Sequence, residues 1–235
     1  MKLTHMRPEQ VRDAAERDVP VLIASGVVEH HGPHLPIGTD YLIVQSLVDE
    51  IERRCEVVVA PGLQLGPTGS WAGGPEDGEI DFPPDALFAY VKAELRGLLD
   101  MGFARIFVMQ HHQGQDGLEG LCAQRAAAEL ALEDGRATGV RWGRRPRDQR
   151  PQVFGRIRVL APNAFLTGDD AHIPWGHGSI GETAYILAIF PELAKMENLP
   201  VDTEIDWLQN SHDATPEMGR RWFELCVSSW VGALQ

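Results

Sequence analysis

A mostly parallel β-sheet flanked by helices on both faces, in a single domain over residues 1–235, is the α/β fold that this sequence predicts. Three observations lead there. Short apolar runs rich in Val and Ile alternate four times with stretches whose apolar residues recur every three or four positions, the pattern of strand and helix units joined by crossovers. Nothing Pro- or Ser-rich divides the chain into halves. Polar residues able to carry chemistry cluster directly behind two of the apolar runs, where open parallel sheets place their sites.

The elements follow in order. Arg7 to Asp18 has helical spacing behind Pro8, and Pro20 to Val28 (PVLIASGVV) reads as a buried strand because it is short, apolar and branched. Tyr41 to Arg54 predicts a helix with Ile43, Leu47 and Ile51 as its inward stripe. Glu56 to Gly62 reads as a second strand, and Gly62 to Asp81 as a long loop containing Trp71, of a length that is usually functional. Phe82 to Met101 is a helix with Leu87, Val91, Leu95 and Leu98 on one face and Gly102 behind it as a C-cap. Residues 104–110 form a third strand, followed by an Ala-rich helix from Leu118 to Asp134. A fourth strand is expected within 154–165, an apolar helix behind Glu182, and an amphipathic helix in the Trp-rich tail from Asp202 onward.

Composition narrows the functional classes. The net charge of −13 argues against nucleic acid and anionic membrane as partners, both of which require phosphate neutralisation by Lys and Arg. The charge is uneven: eight arginines and one acid lie between Arg136 and Arg158. Such a block ordinarily is a solvated loop, and less often a subunit contact or the lip of an anion site. No stretch reaches the roughly 18 apolar residues that span a bilayer, and no apolar run follows Lys2, so a cytoplasmic protein is expected. Cys55, Cys122 and Cys226 are far apart and suggest buried thiols rather than a disulfide framework or metal knuckle.

Seven of the nine histidines fall in three places, residues 30, 31 and 34, residues 111 and 112, and residues 172 and 177. The segment GVVEHHGPHLPIGTD, Gly26 to Asp40, is the densest. Glu29 and His31 are two apart behind a strand, so that alternation turns both to one side and His30 to the other. Asp40 stands before a helix, where it can be an N-cap or a ligand. A lone His beside a strand is ordinarily a hydrogen-bonded core residue. Glu29, His31, Asp40, His112 and Glu182 at equivalent strand ends and helix starts point instead to a metal, and the mixed N/O donors suit Zn2+, with Mn2+ or Fe2+ as alternatives.

These motifs resemble those of the creatininase (creatinine amidohydrolase) family. GVVEHHGPHLPIGTD resembles its Glu-x-His-Gly-x-His-Leu-Pro segment leading to a Thr-Asp pair. VMQHHQGQ stands where the family has Asn-Gly-His-Gly-Gly-Asn, and HGSIGETAYILAIFP resembles its His-Ala-Gly-x-x-Glu-Thr-Ser segment. The resemblance implies an amidohydrolase with two divalent metals per subunit, cleaving the C–N bond of a cyclic amide, lactam or formamide through a hydroxide bridging the metals. It assigns Glu29 and His112 to one metal, His31 and Glu182 to the other, and Asp40 to both. His177 matches a proton donor to the departing nitrogen, substrate positioning being its alternative. Two such metals, about 3.5 Å apart, bring the pKa of a shared water near 7 and polarise a carbonyl. His34 then serves to orient the loop. Trp71 and Trp175 are candidate walls for a small-molecule amide, and His111 and Gln115, which depart from the family motif, are candidate substrate contacts. A peptidase acting on a short peptide and a metal-binding scaffold without catalysis are the competing readings.

The family resemblance, the charge asymmetry and the Trp-rich tail also predict a homo-oligomer, a dimer or a hexamer. Light scattering is expected to give a multiple of the 26.0 kDa chain mass; a 26.0 kDa species alone would exclude association.

Overall fold

The computed structural model describes residues 1–114, 116–168 and 172–235. Its helices are α1 (Pro8–Glu16), α2 (Thr39–Arg54), α3 (Pro84–Asp100), α4 (Leu118–Ala137), α5 (Ile180–Ile189) and α6 (Pro216–Leu234). Its strands are β1 (Val21–Ser25), β2 (Val58–Val59), β3 (Ile106–Gln110) and β4 (Ile157–Leu160). All strand pairs are parallel and the sheet order is β2-β1-β3-β4. Connections out of β1 and β2 therefore run to opposite sides of β1, which leaves a crevice between β1 and β3 at their carboxyl ends.

Both sheet faces are covered, which is why the strands read as unbroken apolar runs. Leu22 and Ala24 of β1 and Phe107 and Met109 of β3 face one cluster, with Ile43, Leu47 and Ile51 of α2, Ile186 of α5 and Trp230 of α6. Val21, Ile23, Ile106 and Val108 face the other, with Leu87, Val91 and Leu95 of α3 and Ala123 and Ala126 of α4. Each side of the sheet thus takes alternate residues of the same strands, the period of two expressed in a doubly covered sheet.

Several boundaries differ from the sequence expectation. The first strand stops at Ser25 instead of continuing to Val28. Gly26 marks the break: a Cβ there would lie 2.7 Å from the backbone nitrogen of Tyr41, so the chain leaves the sheet where β1 meets α2. Helix α2 begins at Thr39, with Gly38 at the N-cap, so Asp40 is inside the first turn rather than capping it. The second strand keeps only Val58 and Val59, and the fourth only Ile157–Leu160. In the tail, the helix starts at Pro216, behind the Thr215 hydroxyl that accepts from the Met218 N–H, and Trp207 lies in a short 3-10 turn, Asp206–Leu208. No helix among the described residues is long and apolar enough to cross a membrane.

One buried group sits against the grain of this packing. Both carboxylate oxygens of Glu94 on α3 are buried without a hydrogen-bond partner, and desolvation raises its pKa from 4.5 to about 7. The unfolded chain releases this proton near 4.5 while the native protein holds it to about 7, so stability falls as pH rises through that window. Glu94→Gln should be more stable than the parent by about 3 kcal/mol at pH 8 and nearly equal to it below pH 4.5. Thermal melts at the two pH values check this; an equal gap at both would refute the burial argument.

Candidate metal centre

The crevice at the carboxyl ends of β1 and β3 collects the histidine clusters. Glu29 and His31 come from the chain leaving β1, His111 and His112 follow β3 directly, and Asp40 and Glu182 lie in the first turns of α2 and α5. All six are buried; Glu29 and Asp40 are each 2% exposed. The helix positions matter, because backbone N–H groups at a helix start stabilise a carboxylate. At α5, the Gly178 N–H donates to Glu182 Oε2 at 2.7 Å. Gly178 has φ +57°, and a Cβ would meet the Trp207 ring at 2.7 Å.

Asp40 divides its two oxygens. Oδ2 is 3.0 Å from His112 Nδ1, which also lies 3.2 Å from Glu29 Oε2. Oδ1 is 3.1 Å from His31 Nε2, which lies 3.5 Å from Glu182 Oε2. Glu29, Asp40 and His112 form one trio, and His31, Asp40 and Glu182 another, each with its donor atoms within 4.8 Å of one another. Glu29, His31 and His177 satisfy the same criterion. Five residues from four separate segments are thus brought together, and Asp40 belongs to two trios. Glu29 and His31 reach this point beyond the sheet, so their convergence comes from the loop and not from strand alternation.

The imidazoles are oriented from behind. His31 Nδ1–H donates to the Glu29 carbonyl at 3.0 Å, His112 Nε2–H to the Pro67 carbonyl at 3.1 Å, and His177 Nε2–H to the His30 carbonyl at 2.6 Å. A carbonyl only accepts, so these contacts fix which nitrogen bears hydrogen and leave the other turned toward the carboxylates. This is the outer support that metal-binding histidines require. Glu29 Oε2 is buried with no hydrogen-bond partner, beside His112 Nδ1 and 3.5 Å from His177 Nδ1. An orphaned carboxylate oxygen facing ring nitrogens fits a divalent cation.

Electrostatics agree. Burial disfavours charge on His31, yet the Asp40 and Glu182 carboxylates raise its pKa to about 10. For His112, burial is likewise outweighed by Asp40 and Glu29, and the pKa rises to about 11. Asp40 is held well below the carboxylate range: burial opposes this, while His31 and His112 drive it. Three buried carboxylates thus demand positive charge, met by protons on the rings or by divalent ions that displace them. His177 and His34 are shifted the other way, chiefly by burial, His34 to about 4.

Around the centre lies a cavity of about 510 Å³ lined by Trp71, His111, Trp175, His177 and the carboxylates. Trp175 packs edge-on against His111 at 4.7 Å, and Trp71 against His177 at 5.2 Å. Gln115 lies outside the described residues. His34 sits behind the centre, its Nε2–H donating to Thr183 Oγ1 at 2.9 Å, in keeping with the loop-orienting role expected of it. The described residues of the Arg-rich stretch 136–158 contribute nothing to the cavity lining.

Three contributors escaped the sequence reading. Trp207 reaches His177 at 4.8 Å from the tail, with no local signal to announce it. Glu119, a buried acid in the first turn of α4, accepts from Ser25 Oγ at 2.6 Å and Gln110 Nε2 at 3.2 Å, and Gln110 also donates to the His112 carbonyl. Glu79, 5% exposed, ties the long loop to the metal motif, accepting from Thr68 Oγ1 at 2.6 Å and from the His30 N–H at 3.3 Å.

The family model described as creatinine amidohydrolase matches residues 4–234. The chain belongs to the creatininase family. It is 24% identical to a creatinine amidohydrolase of Pseudomonas putida over 94% of this chain and 90% of that protein. It is 23% identical to a 3-dehydro-scyllo-inosose hydrolase of Thermotoga maritima over 85% of this chain and 59% of that protein. A manganese form of creatininase superposes with TM-score 0.77 at 20% identity, covering 99% of this chain and 96% of that one. Another creatininase crystal structure superposes with TM-score 0.75 at 19% identity and the same coverage, which is agreement of fold.

Glu79→Ala strands the His30 N–H and the Thr68 hydroxyl, a loss of about 1–3 kcal/mol. The melting temperature should fall by several degrees, and residues 66–81 should become susceptible to limited proteolysis. Unchanged melting and unchanged protection would show that Glu79 does not anchor the loop.

Proposed function

We propose that the protein is a divalent-metal amidohydrolase that cleaves the C–N bond of a small non-peptide amide, such as a cyclic amide, lactam or formamide, at a two-metal centre. The observation that carries this reading is the division of Asp40, whose Oδ2 faces His112 and whose Oδ1 faces His31. Glu29 and His112 would hold one metal and His31 and Glu182 the other, with Asp40 serving both. The donor set suits Zn2+, Mn2+ or Fe2+, and related structures are described as Zn-Zn and Mn forms. When bound, such ions supply Lewis-acid polarisation of a carbonyl and a water acidified to near neutrality.

The remaining steps belong to the chain. Trp71 and Trp175 wall the cavity and exclude bulk water, which strengthens every interaction inside it. With Nε2 committed to the His30 carbonyl, His177 has Nδ1 free beside Glu29 Oε2. At Nδ1 it takes the proton of the attacking water and passes it to the departing nitrogen, so that C–O forms as C–N breaks. The relatives' names support small molecules: one is a creatinine amidohydrolase, one an inosose hydrolase, and one creatininase structure is complexed with creatine. We further take the protein to be a cytoplasmic homo-oligomer.

Purified protein should contain two metals per chain and turn over at least one member of a panel of creatinine, lactams, formamides and short peptides. His177→Ala should keep both metals while kcat falls by roughly 10²–10⁴. Absence of stoichiometric metal would overturn the assignment. Full metal with no turnover in the parent would favour a binding protein, and turnover of peptides alone a peptidase.

A further inference from the structure

The middle motif departs from the family pattern beside the proposed metal ligand His112: His111 stands where the family motif has Gly. We propose that His111 is a fourth protein ligand to the metal held by His31, Asp40 and Glu182. This rests on the two-metal reading above and specifies how the second of those sites is completed.

The backbone of His111 is fixed by the sheet. Its N–H donates to the Ser25 carbonyl at 3.0 Å, one residue beyond β3 and in continuation of the β1 and β3 pairing. Its ring is fixed by packing, edge-on to Trp175 at 4.7 Å, and Trp175 in turn lies 5.1 Å from Tyr185 of α5. The side chain is 8% exposed and points into the carboxylate cluster, with Nε2 3.2 Å from Glu182 Oε1 and 3.9 Å from Asp40 Oδ1. His31 Nε2 addresses the same two carboxylates at 3.5 and 3.1 Å. Donor atoms bound to one ion at about 2.0–2.2 Å stand roughly 3.0–3.6 Å from their neighbours. His31 and His111 therefore approach the same two carboxylates, His31 through Glu182 Oε2, His111 through Glu182 Oε1, and both through Asp40 Oδ1.

The consequence is asymmetry. Glu29, Asp40 and His112 give the first metal three protein donors, leaving positions for water and substrate, as in catalytic sites. Four protein donors make the second site resemble a closed, structural one, whose metal is retained more firmly.

Glu182 Oε1 can also be satisfied by a simple hydrogen bond from His111, and the test separates the two roles. Gln presents an amide N–H close to the position of imidazole Nε2 but is a poor ligand, so His111→Gln keeps the hydrogen bond and removes the coordination. With Zn2+ and Co2+ as probes, wild type should bind two ions per chain. In His111→Gln one ion should weaken more than the 10–100-fold typical of an outer partner, and the visible Co2+ bands of that site should shift. Two ions bound with unchanged affinity and unchanged Co2+ spectrum would overturn the proposal while leaving the two-metal reading intact. Wild type binding fewer than two ions would overturn both. Should the variant not fold, X-ray absorption on zinc-loaded His177→Ala decides: three imidazoles per two zincs support ligation by His111, and two refute it.

Discussion

Three carboxylates, those of Glu29, Asp40 and Glu182, are buried within a few ångströms of one another at the carboxyl ends of two parallel strands. In isolation this is unfavourable, since removing ionised groups from water costs several kcal/mol each. The surroundings answer that cost. Asp40 and Glu182 sit in the first turns of helices, His31 and His112 face the carboxylates, and backbone carbonyls orient the rings from behind. A fold able to impose this has to be rigid, and the doubly covered sheet supplies the rigidity through two packed clusters, one on each face.

The parts of this arrangement that were legible in the sequence are those encoded locally. Ile43, Leu47 and Ile51 repeat every four residues and form the buried face of α2, and the branched runs around Leu22 and Phe107 became the central strands. The density of His and acidic residues between Glu29 and Asp40 marked the site, and family order extended it to His112 and Glu182. Strand ends were less legible, because Val27 and Val28 are as apolar as Val21. At Gly26, where β1 has ended, the backbone runs so close to Tyr41 that no Cβ would fit, a tertiary fact.

The outer support was the least legible layer. Trp207 meets His177 across thirty positions that include the whole of α5, and Glu79 meets His30 across forty-nine. Neither residue has a periodic context, and an acid in a Gly-rich loop reads as solvated unless its partners are known. The Arg-rich stretch, conspicuous in sequence and read there as a solvated loop, contributes no described residue to the cavity. Two of its arginines are occupied elsewhere, Arg156 with Asp134 and Arg158 over the rings of Phe107 and Phe165.

The bond from His112 to the Pro67 carbonyl has a consequence for how such an enzyme can diversify. The long loop that carries Trp71 also sets the hydrogen on a ring of the central cluster, so its two ends are not free to drift. Residues 66–68 are held through Pro67, Thr68 and the pairing of the Phe82 N–H with the Gly66 carbonyl, and residues 79–82 through Glu79 and the bond from the Ile80 N–H to the Val28 carbonyl. Between these anchors, the tip from Gly69 to Gly78 reaches the centre by packing, through Trp71 against His177 at 5.2 Å. Selection for a new substrate can rewrite that tip, Trp71 included, while the stem beneath it conserves the geometry on which the charged cluster depends.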